Sequence, residues 1–296
     1  MRICLKCGFD FGGDSWRCPQ CGHEPSHAGK YVSFAPELSK ASDGFPSGAH
    51  EHLVRAEAGH FWFASRNELI LWALHKYFPQ AKRVFEIGCG TGFVLQGIRS
   101  EFPQMELHGS EIYEKGLLFA EERVPGAALY QMDARHIPFR DHFDVVGAFD
   151  VLEHIEDDQS VLREMAKAGR REGGGIIVTV PQHRFLWSVV DDFSCHVRRY
   201  TSSELRSKVE LAGFRILKMT SFMSLTLPLL MAARLAKRNM EKSDFDPLSE
   251  FRLSPVANSF LKGVLKMERL TIEGGVRWPV GGSLLLVAAS GHRGES

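Results

Sequence analysis

"VFEIGCGTGF", residues 84–93, sets an apolar, strand-like run directly against glycines at alternate positions, Gly88, Gly90 and Gly92. Glycines at a strand-to-helix turn let the backbone approach a nucleotide-like ligand closely. An acid, Glu86, stands two residues before the first of them. A dinucleotide fingerprint needs glycine at position 93, where Phe93 stands, so the spacing disfavours a dinucleotide-dependent dehydrogenase.

Working outward, strand-like runs alternate with helical patterns from about residue 51 onward, as in a parallel sheet with helices on both faces. The runs are 83–88, 106–112, 128–133, 144–150, 175–181, 214–220 and 283–290. Helices are expected between them, notably at 66–78, 160–171 and 202–213. The last opens with Thr201 or Ser202 as N-cap, has Glu204 close behind, and ends at Gly213. Strand ends carry the polar residues. Glu111 closes the second run, 19 residues after Gly92; Asp133 and Ala134 close the third; Phe149 and Asp150 close the fourth, ahead of "LEHI".

These motifs, in this order, resemble those of class I S-adenosylmethionine-dependent methyltransferases over residues 60–220, with a last strand rejoining near 283. The resemblance implies an α/β, Rossmann-like, seven-stranded, mostly parallel sheet with helices on both faces. It implies that S-adenosylmethionine is held by Glu86, Gly88, Cys89, Gly90, Gly92, Glu111, Ile112, Asp133, Ala134, Phe149 and Asp150. Glu111 would accept hydrogen bonds from ribose hydroxyls, Asp133 would hold the adenine amine, and the glycines would admit the amino-acid tail. His154 reads equally as a contact to cofactor or acceptor and as an ordinary residue at a helix start.

The residues just past the fourth run narrow the acceptor. Nucleobase-amine methylation usually goes with Asn/Asp-Pro-Pro-aromatic there, and "DVLEHI" stands instead; a Pro-Cys nucleophile is also missing. The loop after the fifth run, "PQHRFLWSVVDDFSCHVRRYT" (181–201), resembles a bacterial subgroup associated with glycan and other secondary pathways. Methyl transfer to an alcohol needs a positioned oxygen and a base for its proton. His183, Asp191 and His196 are the base candidates, with Cys195 a bystander. Arg198 and Arg199 are candidates to bind an acceptor carboxylate or phosphate, and Trp187 to stack on a ring. The alternative is that Arg198, Arg199 and Tyr200 pair with nearby acids and brace the loop. Ahead of the first run, Phe61, Trp62, Phe63 and Arg66 either cover the site or pack a first helix.

At the N-terminus, Cys4-x2-Cys7 and Cys18-x2-Cys21 form two tight pairs, each followed by glycine and separated by ten residues. Two such turns can close a tetrahedron of thiolates around Zn2+, which resembles a zinc ribbon; the alternative is redox or unoccupied thiols. The site is expected to be structural, with His23 a bystander, and the module is a candidate for docking a protein partner.

The expected organisation is a zinc ribbon at 1–25, a linker at 26–50 and a methyltransferase domain at 51–296 with a helical insertion or lid at 222–282. The insertion segment "LPLLMAARLAKR", ending in Arg234, Lys237 and Arg238, is read as a lid or dimer helix, or as a peripheral membrane contact through 222–240. Lys and Arg total 36, as do Asp and Glu, so no overall field points to nucleic acid. No signal core and no run of roughly 18 apolar residues is seen, which places the expectation in the cytoplasm. The expected activity is methyl transfer from S-adenosylmethionine, at oxygen, to a small-molecule, glycan or lipid-linked acceptor. The alternative is a non-catalytic zinc-ribbon adaptor that senses the cofactor.

Overall fold

The structure is a computed structural model that describes all residues except 14, 29, 40–53, 55, 58, 238–244, 247–251 and 292–296. Arg238 and the expected linker from residue 40 to 50 lie outside the described residues.

The seven expected strands all form: β5 (Arg83–Ile87), β6 (Glu106–Glu111), β7 (Ala128–Gln131), β8 (Val145–Phe149), β9 (Gly175–Pro181), β10 (Phe214–Phe222) and β11 (Ser283–Ser290). β8 and β9 are buried along their whole length, and β5 along all but its first residue. Unbroken apolar runs of this kind suit central strands covered on both faces. β6, β5, β8 and β9 run parallel, and β11 returns antiparallel between β9 and β10.

The sheet grows from β5 through β6 to β7, and then β8 takes the opposite side of β5. Open α/β sheets take their ligands at such a reversal, here beyond the carboxyl ends of β5 and β8. The glycine turn leads from β5 into helix α2 (Phe93–Glu101) at that crevice. Helix α1 (Phe61–Tyr77) precedes β5; α3 (Glu114–Arg123) and α4 (Asp158–Ala168) follow β6 and β8. Beyond β9 come the short α5 (Val189–Phe193) and α6 (Ser202–Leu211). As expected, Thr201 and Glu204 close a capping box at the start of α6.

Among the described residues the sheet has nine strands, the seven expected and two more. Residues 26–28 and 31–33, expected as linker, form strands β3 (Ser26–Ala28) and β4 (Tyr31–Ser33). β4 lies parallel to β7, with Val32 opposite Tyr130 and Ser33 opposite Gln131, and β3 pairs with β4. The reason is tertiary: a three-residue strand has no periodicity of its own and exists because the edge of β7 supplies its partners.

The cysteine module, with its own hairpin of β1 (Arg2–Ile3) and β2 (Asp10–Phe11), sits against the same end of the molecule. Ile3 N donates to Pro138 O at 3.0 Å, and Arg140 N to Met1 O at 2.9 Å. Trp16 meets Phe34, Phe139 and Tyr130 edge-on at centroid distances of 4.9, 5.6 and 5.9 Å.

The insertion supplies α7 (Leu227–Ala236) and α8 (Pro255–Glu273). Asn258 of α8 accepts from Phe61 N and donates to Gly59 O, both at 2.8 Å, so the start of α1 is held by the insertion. Among the described residues no helix is long and apolar enough to cross a membrane.

Candidate functional site

The turn from β5 into α2 is built on left-handed backbone. Gly90 has φ +51° with open space where a Cβ would stand, while a Cβ on Gly92 (φ +77°) would meet the backbone of Ala120 in α3 at 3.0 Å. Gly92 thus permits close helix packing, and Gly90 leaves room for a ligand. Glu111 at the end of β6 ties the turn in place. One carboxylate oxygen accepts from Gly90 N at 3.0 Å; the other accepts from Ile112 N at 2.7 Å and Tyr113 N at 3.2 Å. Burial pushes this carboxyl up, and the three backbone N–H groups oppose the shift.

Glu86 is buried, and one of its oxygens has no hydrogen-bond partner among the described residues. Burial raises its pKa well above the usual range, against the pull of Arg66. A buried acid with an unsatisfied oxygen at a glycine turn suits a cationic or hydrogen-bond-donating ligand. The Cys89 side chain belongs to the core, where burial pushes its thiol well up, so only its backbone faces the turn's chemistry. Phe149 also packs into the core.

At the end of β7, Asp133 is gripped by Arg135, whose Nε lies 3.0 Å from both carboxylate oxygens and whose Nη2 lies 2.8 Å from one. Burial raises its pKa, but Arg135 more than compensates and holds the carboxyl below its usual range. Ala134 follows it directly. Asp150, beyond β8, has φ +57° and accepts from Arg66 and from Thr179 Oγ1. The Arg66 guanidinium stacks on Trp62 at 4.5 Å, so the segment ahead of β5 reaches the carboxyl edge as well as packing a helix.

Behind the turn lies a network that the sequence pattern does not announce. Glu57 accepts from Thr91 Oγ1 at 2.8 and 2.7 Å, and Arg123 reaches both Glu57 and Thr91 at 2.7 Å. The three residues are far apart in the chain and each is an ordinary polar residue locally.

In the loop after β9 the expected residues come together, but most are occupied. Asp191 is fully buried; its carboxylate accepts from Ser188 N (2.9 Å) and Arg199 Nε (2.7 Å) and bonds His196 Nδ1 (2.9 Å). Burial raises its pKa, and His196 and Arg199 bring it below the usual range. An enclosed, thrice-bonded carboxylate is a poor base for an incoming substrate. Arg199 also donates to Gln182 O at 3.2 Å. Arg198 pairs with Asp158 at 2.7 Å and Glu156 at 3.1 Å, and the Tyr200 hydroxyl donates to Asp158 at 2.6 Å. The loop-bracing alternative therefore describes Arg198, Arg199 and Tyr200, because these ion pairs and hydrogen bonds are made within the fold. Trp187 donates to Asp192 at 2.9 Å.

His183 differs. It has φ +65°, stacks on Phe185 with centroids 5.0 Å apart, and its Nε2 is buried without a partner among the described residues. Burial and Arg199 lower its pKa, which favours the neutral ring. Met223, just past β10, shares the positive φ at +57°.

The four cysteines converge as expected. Cys4 Sγ lies 3.6 Å from Cys21 Sγ, and Cys7 Sγ 3.7 Å from Cys18 Sγ, with all four within 4.8 Å of one another. Tetrahedral zinc with bonds of ~2.3 Å sets its thiolates about 3.8 Å apart, so the donor set fits. The knuckles are alike: Gly8 N donates to Cys4 O and Gly22 N to Cys18 O.

Comparison with known proteins agrees with this geometry. Residues 85–177 match a family model described as a methyltransferase domain. The chain is 29% identical over 98 residues to the demethylmenaquinone methyltransferase of Thermotoga maritima, covering 33% of this chain and 43% of the relative. It is 28% identical over 166 residues to a methyltransferase of Streptomyces halstedii, covering 49% and 57% respectively. A sugar-nucleotide N,N-dimethyltransferase of Streptomyces venezuelae is 30% identical over 105 residues, 35% of this chain and 44% of its own length. The chain thus spans about half the length of these curated relatives.

Among solved structures, a chain from the complex of the Haloferax volcanii Trm112 methyltransferase activator with a methyltransferase superposes with TM-score 0.53 at 18% identity. That match covers 83% of this chain and 95% of the other. The cyclase SpnF superposes with TM-score 0.52 at 18% identity, covering 78% and 82%. At such identity these likenesses show the fold alone. The glycine turn and the acidic strand ends thus fall at one edge of a Rossmann-like sheet, within a segment, residues 85–177, that is similar to a methyltransferase domain.

Proposed function

We propose that the chain transfers a methyl group from S-adenosylmethionine to a hydroxyl of a small-molecule, glycan or lipid-linked acceptor. The observation that carries this reading is the β5–α2 turn, with Gly90 open to a ligand and bonded to Glu111, inside the segment that matches the methyltransferase model. Bound there, S-adenosylmethionine supplies an electrophilic methyl on a sulfonium.

The chain's own residues do the rest. Glu111 takes ribose hydroxyls at the end of β6, and Asp133 faces the adenine side at the end of β7. Glu86, buried and short of a hydrogen bond, suits the ligand's ammonium group. Arg66 and Trp62 cover the edge and exclude water. For an alcohol acceptor, His183 is the favoured proton acceptor, since the Asp191 carboxylate is already bonded to Ser188 N, His196 and Arg199. The relatives support a small-molecule acceptor, because those named are a demethylmenaquinone methyltransferase and an aminosugar-nucleotide N,N-dimethyltransferase. Oxygen is our choice of atom on the grounds that the nucleobase motifs are missing and a neutral histidine is available.

The insertion is read as a cap over the acceptor. Arg234 of α7 donates to Ser188 Oγ at 3.0 Å, and Phe245 meets Phe193 at 5.4 Å, so both touch the loop after β9. The zinc ribbon is read as a structural clamp on its own domain.

Calorimetry with S-adenosylmethionine against NAD, followed by an acceptor screen with labelled methyl donor, tests the proposal. Binding of NAD in preference to S-adenosylmethionine sinks it. S-adenosylmethionine binding without turnover on any acceptor favours the adaptor reading instead.

A further inference from the structure

The 3-10 turn after β8 (Leu152–His154) holds an acid whose carboxylate the fold leaves unsatisfied. Glu153 is 0% exposed, and neither of its carboxylate oxygens has a hydrogen-bond partner among the described residues. Buried carboxylates are paired, hydrogen-bonded or bound to an ion. Its surroundings supply the third option. One carboxylate oxygen of Glu153 and one ring nitrogen each of His154 and His196 lie within 4.8 Å of one another. The two imidazoles meet edge-on rather than stacked, centroids 4.8 Å apart and planes at 76°.

The surrounding shell is also built. His196 Nδ1 is bonded to Asp191 Oδ1 at 2.9 Å, which leaves Nε2 as the nitrogen available to an ion. Asp191 is fixed in turn by Arg199 and by Ser188 N. A carboxylate that orients a histidine in this way is the usual support for a metal-ligating imidazole. The backbone closes the arrangement: Val197 N donates to Glu153 O at 2.8 Å, and His196 N to Asp191 O at 3.0 Å.

We propose that Glu153, His154 and His196 bind a divalent transition-metal ion at the carboxyl edge between β8 and β9, a site separate from the four cysteines. Two imidazoles and one carboxylate suit Zn2+, Fe2+, Mn2+ or Co2+ rather than Ca2+ or Mg2+, and three protein ligands leave open positions. An acceptor hydroxyl filling one of them becomes more acidic there. That last role rests on the methyl-transfer reading; metal binding itself does not. Asp191, Arg199 and Ser188 are positioning groups in this scheme.

The test uses the full chain with zinc at the cysteines, dialysed against Co2+, with metal analysis and visible spectroscopy. Expected is about one further equivalent per chain, with ligand-field bands but no thiolate charge transfer, as nitrogen and oxygen ligands give. Glu153→Gln and His196→Asn should each weaken that equivalent about tenfold or more, at unchanged circular dichroism. Should a variant fail to fold, the wild-type stoichiometry and spectrum decide alone. The proposal is overturned if the wild type takes up no Co2+ beyond the cysteine site, or if both folded variants keep the second equivalent. S-adenosylmethionine calorimetry on the same samples reads the methyl-transfer proposal independently. Cobalt uptake without cofactor binding would uphold the site and sink the activity.

Discussion

Gln131, the last residue of β7, donates through Nε2 to Ile112 O at 3.0 Å while its Oε1 accepts from Ser33 Oγ at 2.7 Å. The same amide also bonds Ala35, accepting from its N at 3.1 Å and donating to its O at 2.8 Å. One buried side chain therefore joins the N-terminal strand β4 to the loop that follows Glu111. Gln131→Leu, close in volume, should cost about 2–3 kcal/mol of stability, because it leaves several buried backbone groups unpaired. It should also weaken S-adenosylmethionine several-fold through Ile112. Urea denaturation and calorimetry check both; an unchanged midpoint would rule the link out.

Metal removal should act through the same end of the molecule. With Cys4 and Cys18 replaced by Ser, the ribbon loses its closure, and Trp16 loses its fixed place against Phe34, Tyr130 and Phe139. Hydrogen exchange should rise first at Val32 to Phe34 and at β7, while β8 and β9 stay protected. Uniform exchange rates across the sheet would contradict that order.

Acid stability should depend on Asp158. Burial pushes its carboxyl up, yet Lys208 at 2.6 Å, Tyr200 at 2.6 Å and Arg198 at 2.7 Å outweigh this and hold it below the usual aspartate range. The unfolded chain therefore takes its proton at higher pH than the folded one. The stabilisation is fully present above the ordinary aspartate pKa and disappears as pH falls through the depressed folded value. Asp158→Asn should lower the denaturation midpoint at neutral pH and flatten its dependence on the acid side. Parallel pH slopes in the two proteins would show that Asp158 contributes nothing of this kind.

Cofactor affinity should separate the two acidic strand ends. Glu111→Ala removes the tether to Gly90 and, on the proposed reading, the ribose acceptor, and should weaken S-adenosylmethionine by about two orders of magnitude, as expected for lost hydrogen bonds to a charged group. Asp133→Asn keeps size and loses charge; about tenfold is expected. Equal effects in titration calorimetry would mean that the Gly90 tether is irrelevant to binding.

What was legible in the sequence depended on how local its cause was. The β8 and β9 runs, the capping box of Thr201 and Glu204, the cysteine knuckles and the glycine turn all arise within a few neighbouring residues, and all stand where the pattern put them. β4 escaped because its strand character is lent by Tyr130 and Gln131, about 100 residues away, and β3 because it pairs with β4 in turn. The loop after β9 shows the other limit. Its polar residues pointed to chemistry, but whether Arg199 meets a substrate or Asp191 is a question of burial that spacing does not encode. Glu153, conversely, drew no notice within "LEHI", since its lack of a partner exists only in three dimensions.

Asp150, His183 and Met223 each follow a strand of the central sheet with φ between +57° and +65°. For residues other than glycine such backbone costs on the order of 1 kcal/mol each, and here it falls at the ends of β8, β9 and β10, along one edge. Three of the five non-glycine residues with positive φ among the described residues fall there. Met223 packs in the core, so Met223→Gly would relax the backbone at the expense of a larger loss in packing. A more heat-resistant form of this domain is better sought at Cys195, which shares the left-handed backbone at φ +56° but is only partly buried. There Cys195→Gly relieves the tension and leaves every side chain with a binding role in place.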